Sequence, residues 1–335
     1  MPNTNPPTPA PIPDPAPHNA GLGHYYSPAG RGRINLDQIA YGAAVRFLLG
    51  TVGDPALTAR IDDRLQLPPA VPHDTHAVTK IFGNPAVPTG VARWLLESGD
   101  ETAYLVAFRM TRLPEAVLRD ITLGVPYPDR GGSIRPARLS LTPSGEDPHY
   151  RSFRIGRADS VDDEGDATAR GLVHALYTYG AQRRMKQVRH VVAAIGARDW
   201  AVIGAADRAT PLPGYARWAL CVHPVCPVEL RVQFGGTLPR FAKRMRNAGV
   251  LLGGPGEYLR TGRNPEIVLA VFGLGGALFP EQCAAARAEL RPLVERELGG
   301  NLEAWAVLDR LLPQFTGSVP ELIGTSGAIA AATGG

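Results

Sequence analysis

The chain has 335 residues, of which 44% are hydrophobic and 20% charged, and its formal net charge is +4. This composition is typical of a folded protein with a sizeable core, and it excludes disorder of the whole chain. The sequence contains no apolar run long enough to predict a transmembrane helix and no secretory signal, and three cysteines do not make a disulfide framework. We therefore expect a cytoplasmic protein that does not associate with membranes.

Arginine dominates the basic residues, since only three of the 35 are lysine. A preference for arginine over lysine, together with many alanines, glycines and prolines, is typical of a GC-rich genome, and we expect a bacterial source. The small net charge permits a polyanionic partner without requiring one.

Residues 1–33 are predicted to be a disordered, proline-rich tail. Eight prolines between Pro2 and Pro17 favour extended, polyproline-II-like backbone and leave few groups to bury. We interpret His24-Tyr25-Tyr26 as the point where ordered structure begins.

From Ile34 onward apolar residues recur at helical spacing, and residues 34–123 are predicted to form N-terminal helical repeats. The most informative motif in this segment is the cassette Asn84-Pro85-Ala86-Val87-Pro88. Asn84 is a good capping residue, and Pro85 suits the first position of a turn because it has no N–H to satisfy. Pro88 cannot continue that turn as a helix. The cassette therefore predicts a short turn that leads into an α-helix.

Residues 124–166 are rich in proline, glycine and charge, and we predict an irregular insertion there. Helical patterns resume near Ala167, so residues 167–335 are predicted to form C-terminal helical repeats. Within them the cassette His223-Pro224-Val225-Cys226-Pro227 has the same internal spacing as the first, and Asn264-Pro265 opens a weaker third copy.

The cassette, followed each time by a helical pattern, resembles the leucine-rich variant repeat, a relative of HEAT-like repeats. The resemblance covers Asn84 to about Ile121 well and His223 to about Val271 in part. It implies an all-α fold, an irregular α-solenoid of short helix pairs. It also implies a non-enzymatic interaction or scaffold protein that binds a macromolecular partner.

Two basic clusters supply the candidate partner-binding residues, and stacked repeats would bring both clusters to one surface. These residues are Arg183, Arg184, Arg189, Arg240, Lys243 and Arg244. We expect the partner to be a protein, with nucleic acid as the alternative. A remote form of that alternative is an activity like that of HEAT-like DNA glycosylases, with Asp199, Trp200 and Trp218 around a base pocket.

A second alternative is a metal-binding protein or enzyme. Cys221, His223, Cys226 and Cys283 have the side chains that suit a tetrahedral zinc site. However, His223 occupies the capping position of its cassette, and buried thiols are common in helical cores. We therefore predict no metal, no cofactor and no catalytic residue.

The sequence Gly273-Leu274-Gly275-Gly276 resembles the start of a dinucleotide-binding loop. Leu278 stands where the last glycine of that fingerprint is required, and no βαβ pattern surrounds it. We predict a glycine-rich turn between two helices instead.

Overall fold

The structure is a computed structural model. It describes residues 24–26, 33–68, 75–110, 113–123, 125, 127, 164–236 and 238–333. The tail up to residue 23, and the predicted insertion apart from residues 125, 127 and 164–166, lie outside the described residues.

The described residues are mainly α-helical, which confirms the predicted all-α class. The helices are α1 (Leu36–Leu49), α2 (Pro55–Leu65), α3 (Thr75–Phe82), α4 (Gly90–Ser98), α5 (Glu101–Arg109), α6 (Glu115–Leu123), α7 (Glu164–Ala181), α8 (Met185–Ala193), α9 (Trp200–Ala209), α10 (Gly214–Cys221), α11 (Val228–Gly235), α12 (Phe241–Asn247), α13 (Gly254–Thr261), α14 (Pro265–Leu274), α15 (Pro280–Glu297), α16 (Leu302–Leu311) and α17 (Val319–Thr333). Short 3₁₀ helices cover Ala197–Asp199, Gly275–Ala277 and Leu312–Gln314. None of these described helices is both long and apolar enough to cross a membrane.

A short pair of strands precedes the first helix. Strand β1 (His24–Tyr26) runs antiparallel to β2 (Arg33–Asn35), with His24 opposite Asn35. Among the described residues, His24–Tyr26 is the first regular element, and it includes the residues that we interpreted as the start of ordered structure. Helix α1 follows at once because the Asn35 side chain accepts hydrogen bonds from the Asp37 and Gln38 amides.

The two proline cassettes form the same kind of turn. The Asn84 amide donates to the Ile81 carbonyl (3.1 Å), and the Val87 amide donates to the Asn84 carbonyl (2.9 Å). In the second cassette the corresponding bonds join His223 to Leu220 (3.2 Å) and Cys226 to His223 (3.1 Å). Each turn joins an eight-residue helix, α3 or α10, to the next helix. The predicted turn followed by an α-helix is confirmed in both copies.

The surroundings of the two turns differ. After the first cassette, the Gly90 amide donates to the Gly249 carbonyl at 2.9 Å, which ties the start of α4 to the loop after α12. In the second cassette the Val225 carbonyl accepts a bond from the Tyr127 hydroxyl at 2.6 Å. The local turn therefore repeats, whereas its packing does not.

The third copy, Asn264-Pro265, starts α14, and this helix packs against α1. The Asn264 side chain accepts from the Ile267 amide at 3.1 Å, and Pro265 occupies the first turn. At the contact with α1, the rings of Phe272 and Phe47 stack at 5.3 Å, and Trp94 from α4 stacks on Phe272 at 5.8 Å. The two predicted helical segments therefore share one hydrophobic core.

Candidate functional site: a basic surface around helix α10

Helix α10 presents two aromatic side chains on one side. It packs on α7, α8 and α11, and Ala216, Ala219 and Leu220 lie in the core. Tyr215 and Trp218 are half-buried, and they lie three residues apart, which places them next to each other on the helix surface.

Arginines from two other helices contact these two rings. Arg189, on α8, donates its Nε–H to the Tyr215 hydroxyl at 2.8 Å. The guanidinium of Arg244, on α12, lies 5.7 Å from the centre of the Trp218 ring, a cation–π distance. We call Arg189, Tyr215, Trp218 and Arg244 the arginine–aromatic cluster. Arg189 comes from the first predicted basic cluster and Arg244 from the second, and both side chains contact α10.

The other four predicted cations lie within six residues of Arg189 or Arg244 in the sequence. Arg183 and Arg184 lie in the turn between α7 and α8, and Lys243 lies on α12. Arg240 is not part of the basic helix as predicted: it precedes α12 in a left-handed conformation, with φ of 56°. All six predicted cations are exposed. In the part of the chain that the structure describes, none of the six takes part in a salt bridge.

The positive charge of the chain is concentrated in this region. Residues 169–250 contain thirteen arginines and lysines and only three acidic residues, a formal charge of +10 in a chain whose net charge is +4. Two of the acidic groups are already bonded, because Asp199 accepts from the Gly196 amide and Asp207 pairs with Arg217. This leaves Glu229 as the one exposed acidic residue of the segment.

A buried ion pair and its hydrogen bonds fix the position of α10, the helix that carries Tyr215 and Trp218. The Asp207 carboxylate, on α9, accepts from Arg217 of α10 at 2.7 Å and from Gln233 of α11 at 2.9 Å. It also accepts from the Leu212 amide at 2.9 Å. Burial alone would raise the pKa of Asp207, but these donors lower it below its ordinary value. The network thus fixes α9, α10 and α11 relative to one another and so positions Tyr215 and Trp218.

The proposed metal ligands do not come together as a set. The Cys221 thiol contacts the Arg231 carbonyl, whereas Cys283, on α15, contacts the Phe272 carbonyl. Burial raises the pKa of Cys221, Cys226 and Cys283 to about 12, far above the range in which a thiolate forms readily. Among the described residues, no three His, Cys, Asp or Glu side chains are grouped so that they could hold a metal ion.

His223 lies in the core and does not cap its cassette. It is 3% exposed, its ring packs edge-on against Trp200 at 5.1 Å, and neither ring nitrogen has a hydrogen-bond partner in the described structure. Burial, followed by the nearby charge of Arg231, lowers the pKa of His223 to about 3. The capping interpretation is therefore wrong for this copy, although it holds for Asn84, whose side chain accepts from the Ala86 amide.

The residues named for a glycosylase pocket have structural roles. Trp200 is 3% exposed and packs on His223, so its ring is not available to stack on an extruded base. Asp199 closes the 3₁₀ turn before α9 through its bond to the Gly196 amide. Trp218 belongs to the arginine–aromatic cluster instead.

Tyr215 is the member of this site that the sequence analysis missed. Its signal was an aromatic residue three positions before Trp218 on a short helix, a spacing that is equally typical of core packing. Only the contact with Arg189, which lies 26 residues away in sequence, distinguishes it.

No family model matches the chain, and neither curated proteins nor solved structures include one that is significantly similar to it.

Proposed function

We propose that this chain is a non-enzymatic, helical-repeat interaction protein that binds an acidic macromolecular partner through the arginine–aromatic cluster and the exposed cations beside it. The observation that carries this proposal is the meeting of Arg189 and Arg244 on adjacent aromatic rings of α10. The other four predicted cations beside them are exposed and take part in no salt bridge among the described residues, and a concentrated positive field attracts acidic partners.

A protein partner agrees best with the chemistry of the surface. Arginine, tyrosine, tryptophan and methionine are the residue types enriched at the centres of protein interfaces. Met185, at the start of α8 beside Arg184, adds an apolar side chain that is 51% exposed. A partner with acidic and apolar groups would bury this side chain and neutralise the arginines.

The irregular α-solenoid is part of the proposal. The matching hydrogen bonds of the two cassettes support the resemblance to leucine-rich variant and HEAT-like repeats. The pairing of α1 with α14 departs from a regular stack, in which each unit touches only its neighbours. A cytoplasmic location, also proposed, is supported by the three cysteines, all of which are buried free thiols.

The proposal is tested by charge reversal at the basic surface. A triple variant Arg189→Glu, Lys243→Glu, Arg244→Glu is compared with a control triple variant Arg60→Glu, Arg109→Glu, Arg291→Glu, which makes the same change in net charge at exposed positions elsewhere. In quantitative affinity purification from the native host, we expect the basic-surface variant to lose at least tenfold of a partner that wild type and control retain. Equal recovery by all three proteins would contradict the proposal.

Nucleic acid is the second candidate partner, and the formal charge of +10 in residues 169–250 favours it. A protein that neutralises several phosphates loses roughly 10³-fold or more of its affinity between 50 and 200 mM salt. Fluorescence anisotropy with a random-sequence duplex and a single strand measures this directly. A steep loss that the basic-surface variant abolishes would support nucleic acid, and absence of binding at 50 mM salt would remove this candidate.

A further inference from the structure

A large cleft lies beside the first helix of the described structure. Its volume is about 1330 Å³, and its walls come from the start of α1, the first cassette, the loop after α12, the turn between α13 and α14, and the start of α17. None of the six predicted partner-binding residues lines it. Small-molecule pockets commonly have volumes of roughly 300–1,000 Å³, so this cleft is large enough for a peptide segment.

The N-terminal segment enters the described structure next to this cleft. His24, the first described residue, lies opposite Asn35 in the β1–β2 pair, so their Cα atoms are about 5 Å apart. Asn35 caps α1, and Asp37 and Gln38 in the first turn of that helix line the cleft. The residues that precede His24 are therefore tethered to one wall of the cleft.

The segment that precedes His24 has the composition of a polyproline ligand. Every second residue from Pro7 to Pro17 is proline, which favours the polyproline-II conformation. This conformation makes no internal hydrogen bonds, and proline has no N–H, so the segment offers mainly carbonyl acceptors. Residues 1–23 contain one acidic residue, Asp14, and no arginine or lysine. A docking site for this segment must supply apolar surface and hydrogen-bond donors, and it needs no strong field of either sign.

The walls of the cleft supply apolar surface and a mixed set of charges. Rings and branched side chains are contributed by Tyr41, Pro85, Pro88, Leu251, Ile267 and Pro313. The charged lining residues are three arginines and three carboxylates: Arg246, Arg260, Arg263, Asp37, Glu266 and Glu321. Proline-rich segments dock in grooves lined by rings, and this balance of charge suits a segment with a single charged side chain.

Two side chains of the cleft can donate hydrogen bonds to the carbonyl groups of such a segment. Arg263 is exposed and takes part in no salt bridge among the described residues. Tyr258 is 1% exposed, and its hydroxyl has no hydrogen-bond partner in the described structure. Buried polar groups are almost always satisfied, so this hydroxyl indicates a missing partner at the cleft, such as a carbonyl group or water.

We infer that this cleft is the docking site of the chain's own proline-rich segment, within residues 2–17. The six residues between Pro17 and His24 span up to about 20 Å, which brings the segment to the opposite walls of the cleft. The tether raises the effective concentration of the segment to the millimolar range, so weak contacts suffice to hold it. The inference goes beyond the proposed function, since docking requires no contact with the basic surface.

Double electron–electron resonance between two spin labels tests this docking in the whole chain. One label is placed at Ala10→Cys and the other at Gln314→Cys, an exposed position beside Pro313 in the cleft wall. The label reacts at these positions because the three native cysteines are buried. We expect a single narrow distance peak, since a docked segment has one position relative to the wall.

A bulky side chain in the cleft should release the segment. Ala86→Trp adds one at an exposed position of the wall, and the control Ala284→Trp makes the same change at an exposed position of α15 outside the cleft. In the Ala86→Trp protein the distance distribution should become at least about twofold wider, whereas the control should keep the narrow peak. Circular dichroism checks the fold, and Thr316→Trp, at another exposed position of the wall, replaces Ala86→Trp if that variant unfolds.

A broad distance distribution in the labelled parent protein would overturn the inference, as would a narrow peak that the folded wall variant leaves unchanged. Dilution with unlabelled protein separates docking within one chain from docking into a second copy. A narrow peak whose amplitude falls on dilution would assign the segment to the cleft of another copy and would also overturn the inference. None of these results bears on the basic surface, because the cleft and the six predicted cations share no residue.

Discussion

At the scale of single residues, the second cassette differs from the first in the side chain that precedes its first proline. Asn84 completes its turn with a hydrogen bond, whereas the ring nitrogens of His223, at the equivalent position, are buried and have no hydrogen-bond partner among the described residues. The buried guanidinium of Arg231 lies close by and donates to the His223 carbonyl at 2.8 Å. The histidine therefore stays neutral in the folded protein, and the cost of charging it appears as a dependence of stability on pH.

We predict that His223 makes the protein less stable as the pH falls below its unfolded pKa of 6.5. The folded pKa is lowered to about 3, so between these values the unfolded chain binds more protons than the folded one. The contribution of His223 to the free energy of unfolding is constant well above pH 6.5. It falls by about 1.4 kcal/mol from pH 7.5 to pH 5.5.

The measurement is urea unfolding of wild type and His223→Leu at both pH values. Leucine has a similar volume and no polar atom, so at pH 7.5 we expect the two free energies of unfolding to agree within about 1 kcal/mol. The variant should then lose about 1.4 kcal/mol less than wild type on acidification. Parallel pH profiles would show that His223 titrates normally in the folded protein, contrary to this account.

At the scale of helices and turns, the glycine-rich segment at the end of α14 forms the predicted turn between two helices, and its Gly273 has a packing role. The helix ends at Leu274 and a 3₁₀ turn covers Gly275–Ala277, as expected for a junction between helices. Within α14, a Cβ on Gly273 would collide with the backbone carbonyl of Ala43 in α1. Glycine thus permits the close approach of α1 and α14, which joins the N-terminal and C-terminal helical segments.

We predict that Gly273→Ala destabilises the protein by about 1–3 kcal/mol, because a backbone cannot move aside as a side chain can. Gly276→Ala is the matched control, since a Cβ there would meet nothing within 4 Å. Guanidinium unfolding measures both variants, and we expect the control to lie within about 0.5 kcal/mol of wild type. An equal loss of stability in the two variants would argue against a close helix contact at Gly273.

Sequence patterns predicted the helices better than their arrangement. A stripe near the end of the chain is apolar at helical spacing and predicts one buried helix face: Leu302, Trp305, Leu308, Leu311 and Leu312. Trp305, Leu308 and Leu312 are buried, whereas Leu302 and Leu311 are only half-buried. Strands β1 and β2 gave no comparable signal, because three residues are too few for an alternating pattern. The pairing of α1 with α14 joins segments more than 200 residues apart, and no local pattern encodes such a contact.

The candidate site could be predicted only in part, because contacts between distant segments leave no local sequence pattern. The basic clusters are visible as runs of arginine and lysine, but their approach to one helix depends on how α8, α10 and α12 pack. The cleft at the starts of α1, α14 and α17 gave no sequence signal, since these helices meet only in the folded chain.

At the scale of the whole molecule, charge is distributed unequally along the chain. The segment that contains the arginine–aromatic cluster carries a formal +10, so the rest of the chain sums to −6. Under the proposed function, this positive segment attracts the acidic partner.

Hydrogen–deuterium exchange of the protein with and without its purified partner tests the location of the binding surface most directly. We predict slower exchange of the backbone amides in Met185–Ala193 and Phe241–Asn247 on complex formation, since these helices carry Arg189 and Arg244. Exchange in Pro280–Glu297 should not change. Slower exchange in that helix, with Met185–Ala193 and Phe241–Asn247 unaffected, would contradict the basic surface as the site of partner binding.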